Sequence, residues 1–142
     1  MAKDDPFDLQ RFVAAQDGCW GDVQAELRAG AKHSHWMWFV FPQLTGLGHS
    51  PTARFYAISG LDEARAYLAH PILGPRLAGC VDLLLGHENR SARAIFGSPD
   101  DMKLRSSLTL FAEAGGGARF AQALDRFFEG EPDRRTLELL GR

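Results

Sequence analysis

The sequence is short of cysteine and holds no long apolar run, no repeat and no low-complexity tract. Its 142 residues contain two cysteines, Cys19 and Cys80, too few to staple a chain of this length. The expected setting is therefore a reducing cytoplasm. No apolar stretch approaches the roughly 20 residues that a membrane-spanning helix needs, so no membrane partner is expected. Met1 to Gln10 is acidic and lacks the basic-then-apolar layout of a signal peptide. Sixteen Lys and Arg against 18 Asp and Glu leave a net charge of −2. That balance offers no basic footprint for nucleic acid and no acidic tail. With 45% hydrophobic residues and no linker, residues 1–142 read as one domain able to bury a real core. No phosphate loop with its lysine and no dinucleotide fingerprint is present, so no cofactor is expected.

What the chain does have is dense helix punctuation. Asp5-Pro6 has the form of a cap followed by proline at the first helical position. Asp17 is placed to cap a second helix, stopped by Gly30. Ser50-Pro51 repeats the cap-plus-proline pattern, and Ser59 is placed to cap the next segment, which ends at His70-Pro71. Pro71 then opens a longer helix, with Leu73, Leu77, Cys80, Val81 and Leu84 on one stripe. Ser91 to Phe96 reads as a short helix ended by Gly97. Ser98-Pro99-Asp100-Asp101 is a start signal with acids at the positive end of the dipole. Gly115 to Gly117 closes that helix, Gly130 closes another, and Asp133 caps a last short one. Trp36 to Phe41 is the only strand-like stretch, and one strand has nothing to pair with. It reads as buried helix or irregular core. The expected fold is all-α, a compact single-domain bundle of about eight to ten helices, several of them short.

Chemistry is concentrated in Lys32 to Gln43, which holds two of the three tryptophans and two of the five histidines. As a core plug, its aromatics would dominate packing energetics. As an aromatic wall edged by polar groups, it would line a small-molecule pocket. His33-x-His35 invites a metal reading, with His49 as a third ligand. The chain holds neither a His-Glu-x-x-His motif nor a paired-cysteine knuckle, and no metal site is expected. His35 is the best acid–base candidate, since histidine alone titrates near neutrality unaided. Gly46-Leu47-Gly48-His49-Ser50-Pro51 is a glycine loop running into a helix start. Such a start favours an anion, and Arg54 lies one turn further on. The helix from Pro99 carries apolar residues on nearly every side, so Lys103, Ser106 and Ser107 would be partly enclosed and in need of partners. Lys103 and Ser107, one turn apart, have nucleophile–base spacing and equally that of an ordinary helical pair.

Several motifs carry a family resemblance. Ser34-His35-Trp36-Met37-Trp38-Phe39-Val40-Phe41-Pro42-Gln43 leads, followed by Gly46-Leu47-Gly48-x-Ser50 and Tyr56-Ala57-Ile58. Tyr67-Leu68-x-His70-Pro71, Ile95-Phe96-Gly97 and Lys103-Leu104-x-Ser106-Ser107-x-Thr109-Leu110-Phe111 complete the set. From about Phe7 to Leu140 the chain resembles the bacterial domain of unknown function 1810 family, some of whose members carry a calpastatin label. The resemblance implies a mostly helical fold and brings no biochemical activity with it. Leu108 stands where the family usually has methionine, a change of packing only. The order of His-Pro-x-Leu, an aromatic-Gly and a helix ending in Leu-Phe is also similar in layout to helical enzymes that process ADP-ribose derivatives. The acidic residue of those enzymes has no counterpart here.

Two functions follow as expectations. In the first, the protein binds or acts on an anionic or nucleotide-like small molecule. The pocket would be formed by Trp36, Trp38, Gln43, Ser50, Arg54, Tyr56, His70, Lys103, Ser106 and Thr109, with His35 as acid or base. In the second, it is a protein-interaction module without catalysis, in which the tryptophans anchor the core or a partner.

Overall fold

The computed structural model describes residues 5–142, which form ten helices and no sheet. They are α1 (Gln10–Asp17), α2 (Trp20–Ala29), α3 (Met37–Val40), α4 (Pro51–Phe55) and α5 (Leu61–Ala69). Then come α6 (Leu73–Leu85), α7 (Ala92–Phe96), α8 (Asp100–Glu113), α9 (Ala118–Phe128) and α10 (Arg134–Leu139). Helix α8 is central and packs against α5, α7, α9 and α10, while α6 packs against α2, α5 and α9.

The α8 sequence explains its place. Leu104, Leu108, Leu110 and Phe111 are all buried, and so are Ser106, Ser107 and Thr109 between them. Helix α6 buries the expected stripe of Leu73, Leu77, Cys80, Val81 and Leu84. One continuous cluster joins these helices to Phe12, Trp36, Phe41, Tyr67 and Phe120. Helices α2 and α6 run side by side in the same direction. Arg76 Nη2 donates to Asp17 Oδ1 at 2.8 Å near their starts, and His87 Nε2 lies 2.7 Å from the Leu27 carbonyl near their ends.

Several expected helix starts move. Asp5 satisfies the amides of Leu9 (2.7 Å) and Gln10 (3.0 Å), so α1 begins at Gln10 and Pro6 sits in a preceding turn. Asp17 ends α1 instead of capping α2, because its carboxylate is taken by Arg76. Cys19 occupies the α2 cap position without a side-chain capping bond, its thiol donating back to the Ala15 carbonyl at 3.7 Å. Gly60, not Ser59, precedes α5, and Glu63 reaches back to the Ser59 amide at 2.9 Å. Pro71 lies in a turn, and α6 begins at Leu73. Ser98 does not cap α8, whose cap position is Pro99. Ser50 and Asp133 cap α4 and α10 as expected, and Ser91, read as the first residue of α7, is its cap instead. Gly30, at φ 70°, ends α2 in the left-handed region where glycine is least strained.

The strand-like run resolves into the single helical turn α3, followed by irregular backbone at Phe41. Its setting depends on Glu26. The Glu26 carboxylate accepts the His33 amide (2.8 Å), the Ser34 amide (2.9 Å), the Ser34 hydroxyl (2.6 Å) and the Trp36 indole N–H (2.9 Å). Burial alone would push this carboxyl up. The hydrogen bonds from Ser34, His33 and Trp36 outweigh burial and bring it down to about 2 from 4.5. Because the folded value lies below the unfolded one, this stabilisation is complete above about pH 4.5 and is lost as the pH falls toward 2. The Glu26→Ala variant is expected to lose about 2–3 kcal/mol at pH 7, since several donors lose a charged acceptor. The loss should shrink when denaturant unfolding is repeated near pH 2.5; an equal loss at both pH values would contradict the assignment.

Candidate functional site

A cleft of about 470 Å³ opens where the loop after α3, the start of α4 and one face of α8 meet. Trp38, Gln43, His49, Ser50, Lys103 and Ser106 line it, with Leu47, Ala53, Pro99 and Met102 as apolar wall. The loop is held by a two-residue parallel bridge. Ile58 N–H donates to the Gln43 carbonyl and Thr45 N–H to the Ile58 carbonyl, both at 2.8 Å. Ser50 Oγ accepts the Ala53 amide at 3.1 Å. At Gly48 a Cβ would lie 2.6 Å from the Ala53 Cβ, so only glycine lets the loop lie against α4.

Electrostatics at the cleft centre on Asp100. Lys103 Nζ lies 3.2 Å from Asp100 Oδ1, and Lys32 Nζ lies 2.9 Å from Asp100 Oδ2. Burial opposes ionisation of Asp100, but the hydrogen bonds and charges of Lys32 and Lys103 prevail and lower its pKa. The Lys103 ammonium also lies 5.1 Å from the centroid of the Trp38 ring. Cation and aromatic wall are thus one assembled unit. Asp133 also lines the cleft, but one of its carboxylate oxygens is engaged by the Thr136 amide and hydroxyl.

The cleft brings together Trp38, Gln43, Ser50, Lys103 and Ser106, residues more than 60 positions apart at the extremes. Other expected site residues lie elsewhere. Trp36 is fully buried and belongs to the core, bonded to Glu26 and packed against Phe41 and Phe96. Tyr56 is half-buried against Phe12 and Phe39. Thr109 is buried behind the cleft, where its hydroxyl donates to the Arg105 carbonyl and accepts the Asp133 amide, both at 2.8 Å. His70 accepts the amides of Ile72 and Leu73 through Nδ1 and so organises the start of α6. Arg54 is exposed on α4, and His35 is exposed beyond the cleft lining. The Lys103–Ser107 pair does not form, because Lys103 turns to Asp100 and Ser107 Oγ is buried without a hydrogen-bond partner among the described residues. Among the described residues no three His, Cys, Asp or Glu side chains come together as a metal-ligand set.

Two participants were not among the expected pocket residues. His49 lines the cleft where His35 does not, and its place beside the glycines of the loop was the available signal. Glu26 shows nothing in sequence beyond its place on α2. Its role exists only once the chain returns at residues 33–36.

A helical protein with an aromatic–cationic cleft and, among the described residues, no single helix long and apolar enough to cross a membrane is the class these features define. The chain belongs to the DUF1810 family of proteins of unknown function, whose model matches residues 6–140. Its structure is similar to that of the conserved hypothetical protein Rv1873 from Mycobacterium tuberculosis. The two share 55% identity with a TM-score of 0.95, covering 97% of this chain and 99% of the other. No curated protein matches the chain.

The placement of His70 yields a direct check. Replacing it by alanine removes the acceptor for two amides at the start of α6 and is expected to cost about 1 kcal/mol in denaturant unfolding, as for loss of a helix cap. A loss within about 0.3 kcal/mol of zero would mean water replaces the ring without penalty.

Proposed function

We propose that the protein binds an anionic, nucleotide-like small molecule in the cleft between the loop after α3 and α8. The observation that carries this reading is the convergence of Trp38, Gln43, His49, Lys103 and Ser106 on one concavity. A flat ring stacks on the Trp38 indole. The Gln43 side-chain amide offers both a donor and an acceptor to the ring edge. Ser106 already donates its proton to the Met102 carbonyl at 3.2 Å, so its lone pairs are left to accept from the ligand.

Lys103 supplies the charge. Breaking an enclosed ion pair is normally costly because it strands the partner. Here Lys32 retains Asp100 when Lys103 turns to a ligand anion, so Asp100 is never left alone. The helix start contributes less than its sequence implies, since α4 is only five residues long and Ser50 already caps it. If the ligand is turned over, His49 is placed to take the acid–base role expected of His35.

Calorimetric titration with AMP, UMP and ADP-ribose tests the reading. At least one should bind. Trp38→Ala and Lys103→Ala should each weaken it about tenfold or more, the scale of a lost stacking or charged contact. His70→Ala should leave the affinity unchanged. Absence of binding by all three, or affinity indifferent to both cleft substitutions in folded variants, contradicts the proposal.

A further inference from the structure

A second concavity lies between α2 and α6 and shares no lining residue with the cleft. Trp20, Gln24 and Arg28 stand at i, i+4 and i+8 on α2, and Pro75, Gly79 and Leu83 stand at the same spacing on α6. The two ladders enclose a groove of about 370 Å³, within the range of small-molecule sites.

We propose that this groove is a binding site for a flat apolar carboxylate, its ring body against Trp20 and its carboxylate at Arg28. Four features support the assignment. The first is Gly79, exposed in the interior of α6, where glycine weakens a helix. The other glycine of α6, Gly74, has a packing reason, because a Cβ there would lie 2.1 Å from the Leu68 carbonyl oxygen. At Gly79 a Cβ would meet nothing within 4 Å, so no contact of the chain itself requires glycine. Its bareness leaves the groove floor open to a flat body.

The second feature is the wall. Trp20 is half-buried and its ring is fixed by the Arg76 guanidinium, 4.8 Å from the ring centroid. Arg76 is itself held by Asp17 Oδ1 at 2.8 Å and Gln16 Oε1 at 3.3 Å. The stacking surface is therefore rigid before any ligand arrives, and Arg76's charge is already answered. Third, Cys80 lies buried beneath the groove beside Gly79, and burial pushes its thiol up to about 12, so no thiolate charge stands under the floor. Fourth, Arg28 is exposed and makes no ion pair among the described residues. It stands eight residues from Trp20, about 12 Å along the helix axis. That span fits a bicyclic ring bearing one carboxylate, and a guanidinium suits a carboxylate by its two-pronged geometry.

The test is an NMR titration of the 15N-labelled protein with sodium 2-naphthoate, and with neutral 2-naphthamide as matched probe. Saturable shifts of the Gly79 amide and the Trp20 indole N–H are expected with 2-naphthoate, with 2-naphthamide about tenfold weaker. Arg28→Ala should remove the preference for the acid. Gly79→Leu places a side chain in the open groove and should abolish the shifts while raising the melting temperature, because leucine favours the helix. The proposal is overturned if 2-naphthoate gives no saturable shift at these positions, or if the shifts persist in Gly79→Leu. Shifts confined to the Trp38 and His49 region would place the carboxylate in the α8 cleft and equally overturn it.

Discussion

The Glu26 carboxylate is the constraint on which the aromatic segment depends. Four donors from His33, Ser34 and Trp36 converge on it, which fixes the return of the chain from α2. With the Trp36 indole N–H satisfied, its rings can be buried against Phe41 and Phe96 without stranding a donor. Once Trp36 is fixed inward, the single turn of α3 places Trp38, two residues on, at the wall of the cleft. Lys32, the residue just before this segment, extends the same clamp to α8. Its ammonium donates to the Ser34 carbonyl at 2.6 Å and pairs with Asp100 at 2.9 Å, and its amide donates to the Ile95 carbonyl at 2.7 Å. One carboxylate and one ammonium thus set the distance between the loop wall and the helix wall of the cleft.

How far the sequence could be read follows from what each feature depends on. Helices α6 to α10 were legible, though the starts of α6, α7 and α8 shift by one or two residues, because their signals are local: an apolar stripe, a cap such as Asp133, a glycine stop. Asp17 failed as a cap because a tertiary partner, Arg76, claimed its carboxylate, and no local rule contains that competitor. Trp36 and Trp38 are alike in sequence, two residues apart in an aromatic run. Their division between core and cleft is decided by Glu26, ten residues before Trp36. The cleft's other wall was legible only in part. Lys103 and Ser106 share one side of α8 and were expected to be enclosed polar groups. Thr109 lies one turn beyond, yet its hydroxyl is consumed by the Arg105 carbonyl and the Asp133 amide.

Cleft and groove share one construction. Each has a tryptophan held by a cation whose own charge is answered by a carboxylate: Trp38 with Lys103 and Asp100, Trp20 with Arg76 and Asp17. This arrangement holds the aromatic face still at little electrostatic cost. The two differ in what remains available. Lys103 can leave Asp100 to Lys32, whereas Arg76 has no substitute, so the groove must draw its charge from Arg28. The family match spans residues 6–140, and the structural likeness to the mycobacterial protein covers 97% of this chain.

The central claim is that the two neighbouring tryptophans have different duties, Trp36 structural and Trp38 facing ligand. The most direct test follows the indole N–H resonances of both during titration of the 15N-labelled protein with AMP. A saturable shift of the Trp38 resonance while that of Trp36 stays fixed is the predicted result. Movement of Trp36 to the same extent as Trp38, or a silent Trp38, would contradict the account.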